Sequence, residues 1–366
     1  MDTAMSTYSD CAFIQAGVDL AFADRLGRVT SVEVNFDGPS DPSVLDQAAT
    51  VRITSDRGVS DFQGLRLAVL KDGEFHWATA LKDSSQNSPQ PDSDLVRGLA
   101  RRLVDNRPAV LVAQGEHEAL VAVDFLDIYP DPRPSILAGL EKHSGMVDER
   151  RAVAGLANYL GIPAAQRDSL ALFDGSHIAD LPGGLSARDV LADAHFLAAE
   201  HNFFLEARFP QLTADLDPGT ARTVVTTAHG SATVMSHLIA TLSGDTFTWA
   251  WADRAFSASP AAAAAANLRR FGRDHAVPEL LRPRVPIAVA RRSRLPQLAM
   301  PITNLWTLIP VRLPDSRQGL ALSDAPAFRL PAPTPAATQG TLEVPVPPGV
   351  DEQRARAAYQ RLRNQF

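Results

Sequence analysis

The residues best placed to do chemistry lie in Phe247-Thr248-Trp249-Ala250-Trp251-Ala252-Asp253. On an extended strand alternate side chains share a face. This spacing therefore predicts Phe247, Trp249 and Trp251 on one side, with Thr248, Ala250 and Ala252 on the other. One reading is an aromatic stripe buried beneath helices, because such rings fill a sheet–helix core well. The other is an aromatic-lined pocket with Asp253 at its rim and Arg269 on the following helix. Trp249, Trp251, Asp253 and Arg269 are accordingly the ligand-binding candidates, and no catalytic residue is assigned.

Other chemistries lack the spacing they need. His195 and His201 are six residues apart on a predicted helix, about 120° around its axis, which is poor for sharing one ion. His117 lies in Glu116-His117-Glu118, but neighbours on a strand point apart. No H-E-x-x-H, C-x-x-C or EF-hand loop occurs, so no metal is expected. There is no G-x-S-x-G elbow, and no Walker loop or dinucleotide fingerprint, so no cofactor is expected. His229-Gly230-Ser231 reads as a turn. Asp124 and Asp127, three apart on a strand, face opposite sides and make a poor acid–base pair. Cys11, the single cysteine, has no local histidine to activate it.

The elements that must position these groups read as follows. Residues 1–10 are expected to be a mobile tail, followed by a helix ending at Gly27. Strands are predicted at 31–36, 50–54, 65–70 and 74–81, with a hairpin turn at Lys71-Asp72-Gly73. After a polar loop at 84–93 come a helix at 94–104 and a buried strand at 119–129. Pro130–Pro134 breaks the chain, and helices follow at 136–143 and 148–160. Ser186 and Asp189 form an S-x-x-D helix start, and that helix runs toward Phe209. Strands are predicted at 223–228, 232–242, 246–253 and 302–313, with an alanine-rich helix from Pro260 to about His275. Residues 325–349 read as a loosely packed proline-rich arm. The last segment, 350–366, is a short helix carrying Arg354, Arg356, Arg361 and Arg363. It reads as a solvated or docking helix, or as a contact for an acidic partner or membrane surface, though it lacks a continuous apolar face.

Two stretches repeat. Leu70–Lys82 aligns with Leu242–Arg254 at a constant shift of 172, matching Leu70 to Leu242, Phe75 to Phe247, Trp77 to Trp249 and Lys82 to Arg254. Arg97 and Arg101 then meet Arg269 and Arg273. In the first copy Thr79 stands where the second has Trp251, so a pocket suits the C-terminal half better. The fold class expected is α+β, with two similar domains related by internal duplication, each an antiparallel sheet packed against helices. The expected boundaries are 11–130 for the first repeat, 131–185 for a helical linker, 186–325 for the second repeat, and 326–366 for the arm and C-terminal helix.

The stretch Trp249-Ala250-Trp251-Ala252-Asp253, with Leu268-Arg269 after it, resembles an uncharacterised bacterial family of unknown function whose signature is Trp-x-Trp-Ala-Asn. The resemblance covers about 194–313 and departs at Asp253, where asparagine is usual. The N-terminal half looks like a diverged second copy. This resemblance implies a fold and carries no mechanism.

Composition bounds the rest. The chain has 366 residues, 45% hydrophobic and 21% charged, with a formal charge of −7, ordinary values for a globular protein of two or three domains. That charge gives no field for a polyanion, so no nucleic acid is expected. The N-terminus has no secretory pattern, and no apolar run approaches the ~20 residues of a membrane span. One cysteine fits a reducing compartment, and the expected location is cytoplasmic. Only three of the 35 basic residues are lysine, Lys71, Lys82 and Lys142, a bias of GC-rich bacterial genomes or a supply of planar carboxylate clamps. The combined reading is a non-catalytic binding or regulatory protein with an unknown small-molecule or protein partner. The alternative is a hydrolase-like enzyme with a site between the domains near Trp251 and Asp253.

Overall fold

The computed structural model describes residues 3–38, 47–71, 74–77, 93–125, 130–162, 185–228 and 230–364. The chain divides into two compact units, Met1–Ala171 and Leu172–Phe366. Both are α+β.

The first unit opens with helix α1 (Thr3–Leu26). The tail expected over residues 1–10 is helical from Thr3, because Tyr8 and Cys11 are core residues at 3% and 1% exposure. Strands β1 (Val29–Phe36), β2 (Ala48–Ser55), β3 (Gly58–Lys71) and β4 (Glu74–Trp77) follow. After helix α2 (Ser93–Arg102) come β5 (Ala109–Gln114) and β6 (His117–Asp124). All ladders are antiparallel, in the order β1-β2-β3-β6-β5, with β4 also on β3. The hairpin turn at Asp72-Gly73, the loop at 84–92 and the partner position Thr79 lie outside the described residues.

Helices α3 (Pro132–His143) and α4 (Glu149–Tyr159) complete this unit. They occupy most of the described part of 131–185, the stretch expected to be a linker, and both pack along α1. Pro132 and Pro134 open α3 rather than break the chain, since proline suits the first helical turn. Asp131 and Asp148 cap the two helices by accepting from the Arg133 and Arg151 amides. Close approach to α1 rests on small residues: a Cβ at Gly155 would collide with the Asp10 carbonyl, and one at Gly139 with the Phe13 ring.

The second unit begins with α5 (Ala187–Arg208), started by the expected Ser186/Asp189 capping box. Strands β7 (Thr213–Asp217), β8 (Arg222–Thr227), β9 (Gly230–Ser243) and β10 (Thr246–Trp249) come next. Then follow α6 (Ala263–His275), β11 (Arg284–Pro286), α7 (Ile287–Arg292), α8 (Leu295–Thr303), β12 (Thr307–Arg312) and β13 (Gln318–Ser323). The strand expected from Ile302 starts five residues later. The α8 helix runs through Thr303, and Asn304 leaves it with a left-handed φ of 55°. The strand circuit β7-β8-β9-β13-β12 closes where β12 pairs with β7 in parallel at Arg312 and Asp215.

The arm is exposed along most of 331–350 but carries Phe328 and Thr341 into the interior, and the terminal helix packs down rather than standing in solvent. Helices α9 (Pro335–Leu342) and α10 (Glu352–Arg363) lie against α5, and Ala355 and Tyr359 of α10 join Phe328 in the unit's core. Arginine expected to face solvent or a partner is engaged within the chain. Arg354 makes a bidentate pair with Asp193 at 2.9 and 2.7 Å.

The two units share an order of elements, to which the second adds β11, α7 and α8 among the described residues. A shift of 172 carries β3 onto β9 and β4 onto β10 at both ends. Each long strand bulges at the same place: Leu67 is skipped in the β3–β6 register and Ile239 in the β9–β13 register. A second shift, 203, carries α3 and α4 onto the arm and the terminal helix. The caps Asp148 and Asp351 coincide, as do Arg151 and Arg354. Arg151 pairs with Asp10 at 2.9 and 2.7 Å, as Arg354 does with Asp193. The segment Val-Asp-Glu-x-Arg-Ala-x-Ala occurs at 147–154 and again at 350–357. This correspondence is consistent with duplication of one domain that includes its C-terminal helix pair.

Two outcomes are expected. Deleting residues 327–366 strips the cover from α5, and the second unit should lose its near-ultraviolet circular dichroism. Arg354→Ala removes a surface-accessible pair and should cost about 1 kcal/mol in urea unfolding.

Candidate ligand-binding site

The aromatic stripe does not form one face. Strand β10 ends at Trp249, and Ala250–Ala252 turn into a 3-10 helix, so the two-residue alternation stops before Trp251. Trp249 is wholly buried. Its ring stands edge-on to Phe247 at 4.9 Å, and its indole N–H donates to the Glu279 carbonyl at 3.0 Å. It is a core residue. Trp251 lies at 9% exposure with the Arg269 guanidinium 4.8 Å above its ring. Its Nε1 is buried without a hydrogen-bond partner.

Asp253 belongs to a different group. Its Oδ2 accepts from Thr241 Oγ1 at 2.6 Å and from Arg317 Nη1 at 2.7 Å, and its Oδ1 accepts from the Ala255 amide at 3.0 Å. Burial alone favours the neutral acid. The bonds from Thr241 and Arg317 outweigh it and hold the carboxyl below its usual range. Arg317 also pairs with Asp315 and lies over the Phe256 ring. Asp253 is thus an anion with both oxygens engaged, an anchor between the turn after β10 and the β12–β13 turn. The structure brings Trp251 to Arg269 and Asp253 to Arg317; the latter partner had no local sequence signal.

A second polar group sits on α5. Glu200 and Arg363 form a buried ion pair at 2.9 Å with side chains 9% and 5% exposed, and Tyr359 donates to Glu200 at 2.9 Å. Beside them His201 is 5% exposed. Its Nδ1 lies 3.3 Å from Thr307 Oγ1, and its Nε2 is buried with no hydrogen-bond partner. Burial first, and the Arg363 charge second, push its pKa down to about 4, so the ring is neutral. Thr307 faces Ser323 across the β12–β13 ladder, and Ser323 donates to the Met235 carbonyl at 2.8 Å.

This group backs onto a cavity of about 280 Å³. His201, Thr307 and Ser323 line it on one side, with Trp306, Phe328 and the Asp324–Arg329 pair among the other walls. No group of three metal-ligating side chains occurs among the described residues, and no described helix is long and apolar enough to cross a membrane.

The fold does not require this polarity. The Asp10–Asp193 equivalence sets Gly17 and Val18 of α1 at the places of Glu200 and His201. The shift of 203 sets Leu156 and Leu160 at those of Tyr359 and Arg363. Gly64 pairs with Val123 as Ser236 does with Ser323, and Pro108, whose carbonyl bonds the Val123 amide, stands for Thr307. Together with Ser236, six further polar positions of the second unit are glycine or apolar in the first.

Residues 188–326 match a family of unknown function, DUF6882. The match includes α5, His201, the Trp249–Asp253 stretch and the cavity strands, and stops before α10. No curated protein and no solved structure matches the chain.

Glu200, His201 and Arg363 have a weak sequence signal. The spacing of His195 and His201 speaks only to metal ligation, whereas the repeated Val-Asp-Glu-x-Arg-Ala segment marks the terminal helix as part of the domain.

Three outcomes follow from the geometry. Arg363→Leu strands a buried carboxylate and should cost about 3–5 kcal/mol, much of it regained when Glu200→Ala is added, as read by urea unfolding. Asp253→Ala should lower stability without altering any ligand affinity. His201 has a folded pKa depressed below its unfolded value, so the unfolded chain takes up the proton first. Stability should be intact above about pH 6.5 and fall toward pH 4, by on the order of 3 kcal/mol. His201→Val should flatten that part of the pH profile.

Proposed function

We propose that this chain is a binding or regulatory protein, without chemistry of its own, that arose by duplication of one α+β domain. In this reading each unit buries polar groups of its own, Tyr8 with His143 and Gln15 with Asn106 in the first, and those of the second have diverged into a small-molecule recognition unit. The observation that carries it is the asymmetry at six matched positions, where Glu200, His201, Tyr359, Arg363, Thr307 and Ser323 replace glycine and apolar residues beside a cavity. Buried polar groups cost stability unless they are satisfied, so their accumulation at one place in one copy points to use. A duplicated domain is supported by the shared bulge, the shared caps and the recurring bidentate Arg–Asp pair.

The hydrolase-like alternative needs a carboxyl near Trp251 free to move a proton. Asp253 has both oxygens occupied and a lowered pKa, and nothing else near it favours that reading. A cytoplasmic setting belongs to the same proposal; the lone thiol of Cys11 is buried and pushed up to about 11 by desolvation, which suits a protein that uses no disulfide.

Native mass spectrometry of the full chain tests the reading. A retained small molecule, lost on denaturation and absent from His201→Val, is the expected result. A clean apo mass, with no thermal shift in a broad metabolite screen, would overturn it.

A further inference from the structure

Resting on the binding reading above, we infer that the cavity beside α5 takes a small uncharged aromatic or heteroaromatic ring bearing an N–H or O–H group. Size, charge and hydrogen bonding each narrow the class.

The volume of about 280 Å³ is roughly twice that of a cavity known to accept benzene and just below the usual range for drug-sized ligands. One ring, or two fused rings, fits that space. Trp306 and Phe328 line it at 5% and 3% exposure. The Trp306 indole N–H is already donated to Asn304 Oδ1 at 3.1 Å, so this residue offers ring surface.

Charge is balanced at both ends. Behind His201, Glu200 is paired with Arg363. At the mouth, Asp324 and Arg329 pair with each other at 3.4 Å. An ion entering would give up its hydration and meet no uncompensated countercharge. The imidazole is neutral in the physiological range, as its depressed pKa dictates.

The buried polar atoms offer an acceptor and a donor. Ser323 has given its hydrogen to the Met235 carbonyl and keeps only lone pairs. Thr307 and His201 share one hydrogen between Oγ1 and Nδ1, which leaves the pair one more, on Oγ1 or on Nε2 according to the tautomer. A ligand N–H or O–H therefore finds an oxygen acceptor, while His201 Nε2 has no partner within the chain.

The test uses the full chain with phenol, indole and adenine as uncharged probes, and benzoate and benzylammonium as charged probes of like size. Ligand-observed NMR and thermal shift should show binding of at least one uncharged probe and of neither ion. Ser323→Ala and His201→Val should each weaken that binding roughly tenfold or more, with the far-ultraviolet spectrum unchanged; Ser323→Ala serves if His201→Val fails to fold. Binding of benzoate or benzylammonium as tightly as the uncharged probes overturns the inference and leaves the binding reading standing. So does a retained charged molecule in the native mass. Uncharged binding that neither substitution weakens overturns the placement. No binding by any probe, together with a clean apo mass, defeats the inference and the binding reading alike.

Discussion

Each unit depends on covering its long first helix. Helices α1 and α5 carry apolar residues around much of their circumference, including Phe13, Ile14 and Val18 in one and Val190, Phe196 and Leu197 in the other. A sheet can hide only one side of such a helix. The remaining side is closed by a C-terminal helix pair that is latched by an aspartate on the long helix and an arginine in the first turn of the last one. The bidentate fork gives this contact a defined register, and apolar burial beneath it supplies most of the stabilisation. Removing the pair leaves a helix that is hydrophobic on an open face, which is why the terminal segment belongs to the domain even though the family match ends before it.

Once that scaffold exists twice, its interior positions become comparable. Where the first unit has Gly17, Val18, Leu156 and Leu160, the second has Glu200, His201, Tyr359 and Arg363. The substitutions form a connected set: the carboxylate is neutralised by the guanidinium and bonded by the phenol, and the imidazole reaches Thr307. Introducing any one alone would leave an unpaired buried group. Their co-occurrence separates this interior from the Asp253 group, whose bonds tie one turn to another and occupy both carboxylate oxygens.

Much of the fold was legible in the residue order. Helix starts at Ser186 and Asp148, the alternation in β1, and the repeat through Trp77 and Trp249 all reflect short-range physics. The strands overlooked were short. In β7 only Ala214 and Leu216 mark the buried face, too few for a period to stand out. In the arm, Pro335 begins a helix, since proline suits a first helical turn as well as an open chain. The candidate site was less legible. Its partners lie 163 residues apart for Glu200 and Arg363 and 106 for His201 and Thr307, and spacing rules of helix and strand do not reach that far.

The residue order by itself determined many of the local elements, the Ser186 cap and the α+β class, because each depends on neighbours within a few turns of chain. Tertiary structure alone decided that Trp249 is core, that Asp253 is an anchor and that His201 borders a cavity. Burial, pairing and protonation are set by the atoms that surround a group in space, and those atoms come from strands and helices that only the completed packing brings together.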